Sequence, residues 1–114
     1  MEDEIIQYYI VNSELNMSPG KVAAQVAHAA TMMAIECYDL DRFEDWFNNY
    51  EQKKIILRGK QKDLERILYN LGGSTVKVID NGHTEIPAGS LTVVGIKPMH
   101  KSTGKLYLKR LQLY

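Results

Sequence analysis

A chain of 114 residues, 45% hydrophobic and 25% charged, has the length of one domain (1–114) and an ordinary globular composition, which excludes disorder. No apolar run approaches the roughly 18 residues a membrane span needs, the single cysteine excludes an internal disulfide, and the acidic start Met1-Glu2-Asp3-Glu4 is unlike a basic secretory leader, so a cytoplasmic setting is expected. The formal net charge is zero, an average that argues against a polyanionic partner, yet residues 1–51 sum to −8 and residues 52–114 to +8.

Ile5 to Val11 (IIQYYIV) is a β-rich run too short for a helix and reads as a buried strand. After a polar connection, Ser18-Pro19 has the form of a helix start, with Ser as N-cap and Pro in the first helical position. That helix is expected over Pro19–Cys37. A second, over Asp41–Asn49 and capped near Asp39, follows from the apolar stripe Phe43, Trp46, Phe47, Tyr50.

Lys53 to Arg58 is the second strand, ended by Gly59. Gln61 to Leu71 is the third helix, closed by Gly72-Gly73. Ser74 to Asp80 and Leu91 to Ile96 are two further strands, joined through turn signals at Asn81-Gly82 and Pro87-Ala88-Gly89. Their short connection requires them to be antiparallel, and a last short helix is expected over Gly104 to Arg110. The order β-α-α-β-α-β-β-α predicts an α/β domain with a mixed sheet and helices on both faces.

Two segments stand out. On the first helix, Lys21, Gln25 and His28 share one face among small apolar residues. Lys21 also lies in the first turn, where a cation opposes the helix dipole. The face is either a solvated stripe or an anion site made of lysine and free backbone N–H groups. In the second segment Asp80 ends a strand and is followed by a turn presenting His83 and Thr84. Asp80 is either a turn former bonded to its own backbone or a carboxylate at the sheet edge where α/β proteins bind ligands.

Other chemistry is weakly signalled. The three histidines lack metal-ligand spacing, and one cysteine cannot complete a zinc site. Cys37 reads as a packed thiol. Ser18-Pro19-Gly20-Lys21 lacks the spacing of a nucleotide-binding phosphate loop.

Taken together, the two segments are specific. Met17-Ser18-Pro19-Gly20-Lys21-Val22-Ala23-Ala24-Gln25-Val26-Ala27-His28-Ala29 resembles the opening helix motif of the type II peptidyl-tRNA hydrolases, Met-x-x-Gly-Lys-x-Ala-Ala-Gln-x-x-His-Ala. Residues 80–96, DNGHTEIPAGSLTVVGI, are similar to that family's second motif, Asp-x-Gly-x-Thr-x-Ile-x-x-Gly-x-x-Thr-Val. The resemblance runs from about Ile5 to Tyr114. It implies a three-layer α/β/α domain on a four-stranded mixed sheet. It also implies an enzyme that cleaves the ester between a peptide and the 3′ ribose of tRNA, without metal or organic cofactor.

By matching motif positions, the resemblance implies Lys21, Asp80, Thr84 and Thr92 as catalytic, with Gly20, Gln25, His28 and His83 lining or supporting the site. Many members carry Cys or Ser at the place of Val26, Arg at that of His83 and Gln at that of Glu85. These departures define the alternative, a catalytically weak relative acting as a tRNA- or protein-binding module. Family members often pair, so a homodimer is a further expectation, with no membrane partner. The bases concentrate in Lys53 to Arg66 and in Lys97 to Arg110, so tRNA contact is expected through the C-terminal half.

Overall fold

The structure is a computed structural model and describes residues 2–82 and 85–114. The first strand, β1 (Ile5–Asn12), is buried at every position. Its unbroken apolar pattern reflects neighbours on both edges and packing on both faces. It is followed by helix α1 (Pro19–Cys37), helix α2 (Asp41–Asn49), strand β2 (Lys54–Gly59) and helix α3 (Gln61–Leu71). Then come β3 (Thr75–Asp80), β4 (Ser90–Ile96), β5 (Met99–His100), helix α4 (Lys101–Leu108) and β6 (Gln112–Leu113).

The main strand order is β3-β4-β1-β2-β6, with β5 pairing separately to β1. β1 and β2 are parallel, in register from Gln7–Lys54 to Asn12–Gly59. β4 runs antiparallel to β1, and β3 antiparallel to β4, as the short connection requires. The sheet is therefore mixed, but it has six strands rather than the expected four. β5 and β6 are two residues each, too short to carry a periodic pattern. They exist because Ile5 and Ile6 pair with His100 and Met99, and Leu57 and Arg58 pair with Leu113 and Gln112.

Alternate residues of β1 feed two hydrophobic clusters. Ile6, Tyr8 and Ile10 pack with Leu64 and Ile67 of α3 and Leu108 of α4. Tyr9 and Val11 pack with Val22, Ala29, Met33 and Cys37 of α1. Cys37 is the buried thiol its pattern suggested, and burial pushes its pKa up. α4 begins three residues earlier than expected and carries Gly104 inside it. A Cβ at Gly104 would stand 2.6 Å from the Tyr8 ring, so the helix can lie on that ring only with glycine there. α2 is capped by Leu40 rather than Asp39, and without a side-chain cap bond.

At the C-terminal end of β1, buried Asn12 ties three elements together. Its Nδ2 donates to Gln61 Oε1 at 2.7 Å and to the Leu91 carbonyl at 2.9 Å, while Oδ1 accepts from the Glu14 N–H. The same sheet edge holds the end of β3 and the start of β4, where Asp80 pairs with Ser90.

Candidate active site

The N-terminus of α1 is built as the Ser-Pro pair suggested. Ser18 is the N-cap, its Oγ accepts from the Lys21 N–H at 3.3 Å, and Pro19 occupies the first turn. Lys21 is the third helical residue and the only charged residue of that turn. Its Nζ lies 2.8 Å from Oδ1 of Asp80, at the end of β3. The two side chains are only 15% and 13% exposed, so the pair is largely shielded from water.

Asp80 forms the turn its pattern allowed, and it also pairs with Lys21 at the sheet edge. Oδ2 accepts from the Gly82 N–H at 2.8 Å, the bond of an Asx turn, while Oδ1 faces the lysine. Its backbone carbonyl accepts from the Gly89 N–H at 2.8 Å, which closes the connection between β3 and β4. Gly82 has φ +73, and a Cβ there would meet the Ala88 backbone nitrogen at 2.3 Å, so this turn requires glycine twice over.

The polar face of α1 divides. Lys21 is held in the ion pair, Gln25 is buried against the sheet, and His28 is exposed. Gln25 Oε1 accepts from the Thr92 hydroxyl at 2.7 Å, and the Val78 carbonyl oxygen is 3.2 Å from the same hydroxyl. Thr92 is fully buried, so its hydroxyl reaches Gln25 and the end of β3 rather than solvent. Gly20 opens to empty space, with nothing within 4 Å of a Cβ built on it. His83 and Thr84 lie outside the described residues.

Glu85 enters the arrangement in a way its pattern did not indicate. Its carboxylate accepts from the Ser18 N–H at 2.8 Å and from the Ser18 hydroxyl at 2.7 Å. These two bonds, and then the nearby Lys21 charge, hold its pKa below the ordinary glutamate range. The only sequence signal for this contact is the lysine at a helix position where a carboxylate is usual.

Chemically, the edge offers a shielded cation, a carboxylate oriented by a backbone N–H, and a helix N-terminus. A carboxylate beside a lysine can align or deprotonate a water. The lysine and the helix N-terminus favour developing negative charge. Among the described residues no group of three or more potential metal ligands converges.

The two basic segments meet away from this edge. Arg66 and Asn70 of α3 and Tyr107, Lys109 and Arg110 at the end of α4 line a cleft of about 260 Å³ with no carboxylate in its lining. Acids gather in a different cleft, where Glu2, Glu4 and Glu51 stand around Lys53.

Residues 5–114 match the family model described as Peptidyl-tRNA hydrolase PTH2. The chain is 37% identical over 116 aligned residues to a protein of Thermococcus sibiricus named peptidyl-tRNA hydrolase, covering 90% of this chain and 95% of the relative. A protein of Metallosphaera sedula with the same name is 33% identical, covering 87% of this chain and 95% of the relative. A Dictyostelium discoideum protein named probable peptidyl-tRNA hydrolase 2 is 33% identical over 95% of this chain and 54% of its own length.

Proposed function

Because the chain belongs to the peptidyl-tRNA hydrolase PTH2 family, we propose that it hydrolyses the ester joining a peptide, or an N-blocked aminoacyl group, to the 3′ ribose of tRNA. The observation that carries this reading is the shielded Lys21–Asp80 pair at 2.8 Å, which brings the two family motifs together across 59 residues of sequence.

In this reading Asp80 aligns or deprotonates the attacking water. Lys21, at the helix N-terminus, stabilises the tetrahedral oxyanion or the terminal phosphate. The bond between the carbonyl carbon and the ribose oxygen breaks, the ribose oxygen takes a proton, and the peptide leaves as a carboxylic acid. Thr84 is proposed to hold water or ester through its hydroxyl. Thr92, buried against Gln25, acts as a positioning residue that fixes Gln25 and the end of β3. Gly20 leaves the backbone open to substrate, and His28 and His83 are proposed as substrate-binding residues. The residues proposed to act are ordinary side chains, and the reaction as written uses no cofactor.

The cleft at Arg66, Lys109 and Arg110 is proposed as a tRNA backbone contact, since guanidinium and ammonium groups gathered at one surface suit phosphates, although Arg66 also pairs with Asp63 at 3.5 Å. The proposal includes a single α/β/α domain layered as the two core clusters suggest, in a cytoplasmic setting. Among the described residues no helix is long and apolar enough to cross a membrane.

A homodimer is proposed through the apolar groove of about 720 Å³ between α1 and β6. There Ala23, Ala27 and Ala30 face Ile56, Leu113 and Tyr114. Small helix residues allow close approach, and the Leu113 residue is 72% exposed. Sedimentation of the wild type and of Ala27→Glu tests it: a wild-type monomer overturns it.

The function is tested by release of an N-blocked aminoacyl group from tRNA, with binding of uncharged tRNA measured beside it. Release that Asp80→Ala abolishes is expected. Binding without release by the wild type overturns the reading and favours a binding module.

A further inference from the structure

The third residue of a helix is where a capping box places a carboxylate, which accepts the N–H of the N-cap residue. α3 follows that rule within its own sequence: Asp63 Oδ2 accepts from the Lys60 N–H at 2.9 Å. α1 cannot, because its third residue is Lys21, which has no acceptor. The missing carboxylate comes instead from the connection between β3 and β4. Glu85 Oε2 accepts from the Ser18 N–H at 2.8 Å, and Oε1 accepts from the Ser18 hydroxyl at 2.7 Å. The same Ser18 Oγ accepts from the Lys21 N–H, so Glu85 reaches the lysine's backbone through one side chain.

We propose that Glu85 is a positioning residue that completes the cap of α1 from outside the helix and holds the connection carrying Asp80 at its working distance from Lys21. The proposal rests on the hydrolase reading of the site. The Lys21–Asp80 pair is one direct tie between α1 and this connection, and turnover must loosen it: the lysine turns to the oxyanion while the carboxylate turns to the water. The Ser18–Glu85 bonds form a second tie that the reaction does not consume, so the two halves of the site stay in register while the ion pair opens. Among the described residues, the groups facing Glu85 are Ser18 and, at longer range, Lys21. Glu85 thus acts through the helix cap, and its charge is engaged there rather than presented to an anionic substrate.

The test compares Glu85→Gln and Glu85→Ala in the intact chain, reading kcat and KM for ester release and, in the free protein, hydrogen exchange of the Ser18 amide. Glutamine keeps a carbonyl oxygen for the Ser18 N–H and an amide donor for its Oγ, while removing the charge. Glu85→Ala is expected to lower kcat by about tenfold or more with little change in KM, and to speed Ser18 exchange. Glu85→Gln is expected to restore most of both. Equal losses in the two variants overturn the positioning role, because charge rather than geometry is then what matters. Unchanged kcat with a lower KM in both overturns it as well, since Glu85 then only repels substrate. If Glu85→Ala fails to fold, comparison of Glu85→Gln with wild type decides between the same outcomes. No ester release by the wild type removes the hydrolase reading, whereas the Ser18 amide still reports whether the cap exists.

Discussion

Lys21 Nζ and Asp80 Oδ1 meet at 2.8 Å, and each side chain is more than four-fifths shielded from solvent. Neither group is well placed alone: the lysine opposes its helix dipole, and the carboxylate sits in a tight turn beside a buried sheet edge. Each offsets the other's electrostatic cost, and the proposed mechanism draws on both charges.

Removing either member is therefore expected to reduce kcat by about 10²–10⁴-fold, the range for a positioned acid, base or charge. Asp80→Asn keeps an acceptor for the Gly82 N–H and separates turn formation from ionisation. Its Tm should fall, because Lys21 loses its counter-charge, but by less than in Asp80→Ala, while release falls as far in both. Near-wild-type release by Asp80→Asn would exclude a role for the ionised carboxylate.

Thr92→Val replaces a buried hydroxyl by a methyl group and leaves Gln25 Oε1 without its 2.7 Å donor. A stability loss of about 1–3 kcal/mol is expected from denaturant unfolding, the usual cost of orphaning a buried polar group. Thr92→Ser keeps the donor and should lie closer to wild type. A neutral Thr92→Val variant would show that the Gln25 bond does not hold this part of the core.

Two glycines should respond in opposite senses. Gly104→Ala forces a methyl to 2.6 Å from the Tyr8 ring and should destabilise the fold by about 1–3 kcal/mol, as overpacking does. Gly20→Ala meets nothing within 4 Å and should leave Tm unchanged or slightly raised. If substrate approaches the backbone there, KM for ester release rises in the Gly20 variant while thermal stability does not fall.

Alanine at Arg66, Lys109 and Arg110 together should raise KM for a tRNA substrate and leave kcat nearly unchanged. The slope of log affinity against log salt should become shallower by about 2–3, close to one unit per lost phosphate contact. An unchanged salt slope would place the tRNA backbone elsewhere on the molecule.

Acid should weaken three carboxylate contacts in a defined direction. Asp3, Glu4 and Glu85 all have pKa values below their ordinary 3.8, 4.5 and 4.5, set chiefly by hydrogen bonds to Ser102, Lys53 and Ser18. The unfolded chain then binds more protons than the folded one, so stability rises with pH through this range. The contribution is present above about pH 4.5 and is lost as pH falls through the lower folded values. Unfolding curves from pH 6 down to about 3 should show this slope, and Glu85→Gln should remove its share.

What the sequence made legible follows local physics. The limits of α1 were readable from Ser18-Pro19 and its helix-forming run, and those of α3 from its apolar face and Gly72-Gly73. α4 was displaced because Gly104 reads as a helix boundary until the Tyr8 ring beneath it is known. β5 and β6 were invisible because their existence depends on partners far along the chain. At the site, Lys21 and Asp80 were recognisable as residues worth attention from their helix-start and strand-end positions. The burial of Thr92 and the docking of Glu85 on Ser18 arise from tertiary contacts that no local window contains.

α1 carries no acidic residue in its first turn and no basic residue in its last. The carboxylates at its N-terminus arrive from Asp80 and Glu85, 59 and 67 residues further along the chain from their partners. The first helical turn is therefore held from two sides, locally by the Ser18 cap and Pro19 and from afar by the docked connection, so loss of either distant carboxylate should loosen that turn and leave the rest of α1 in place.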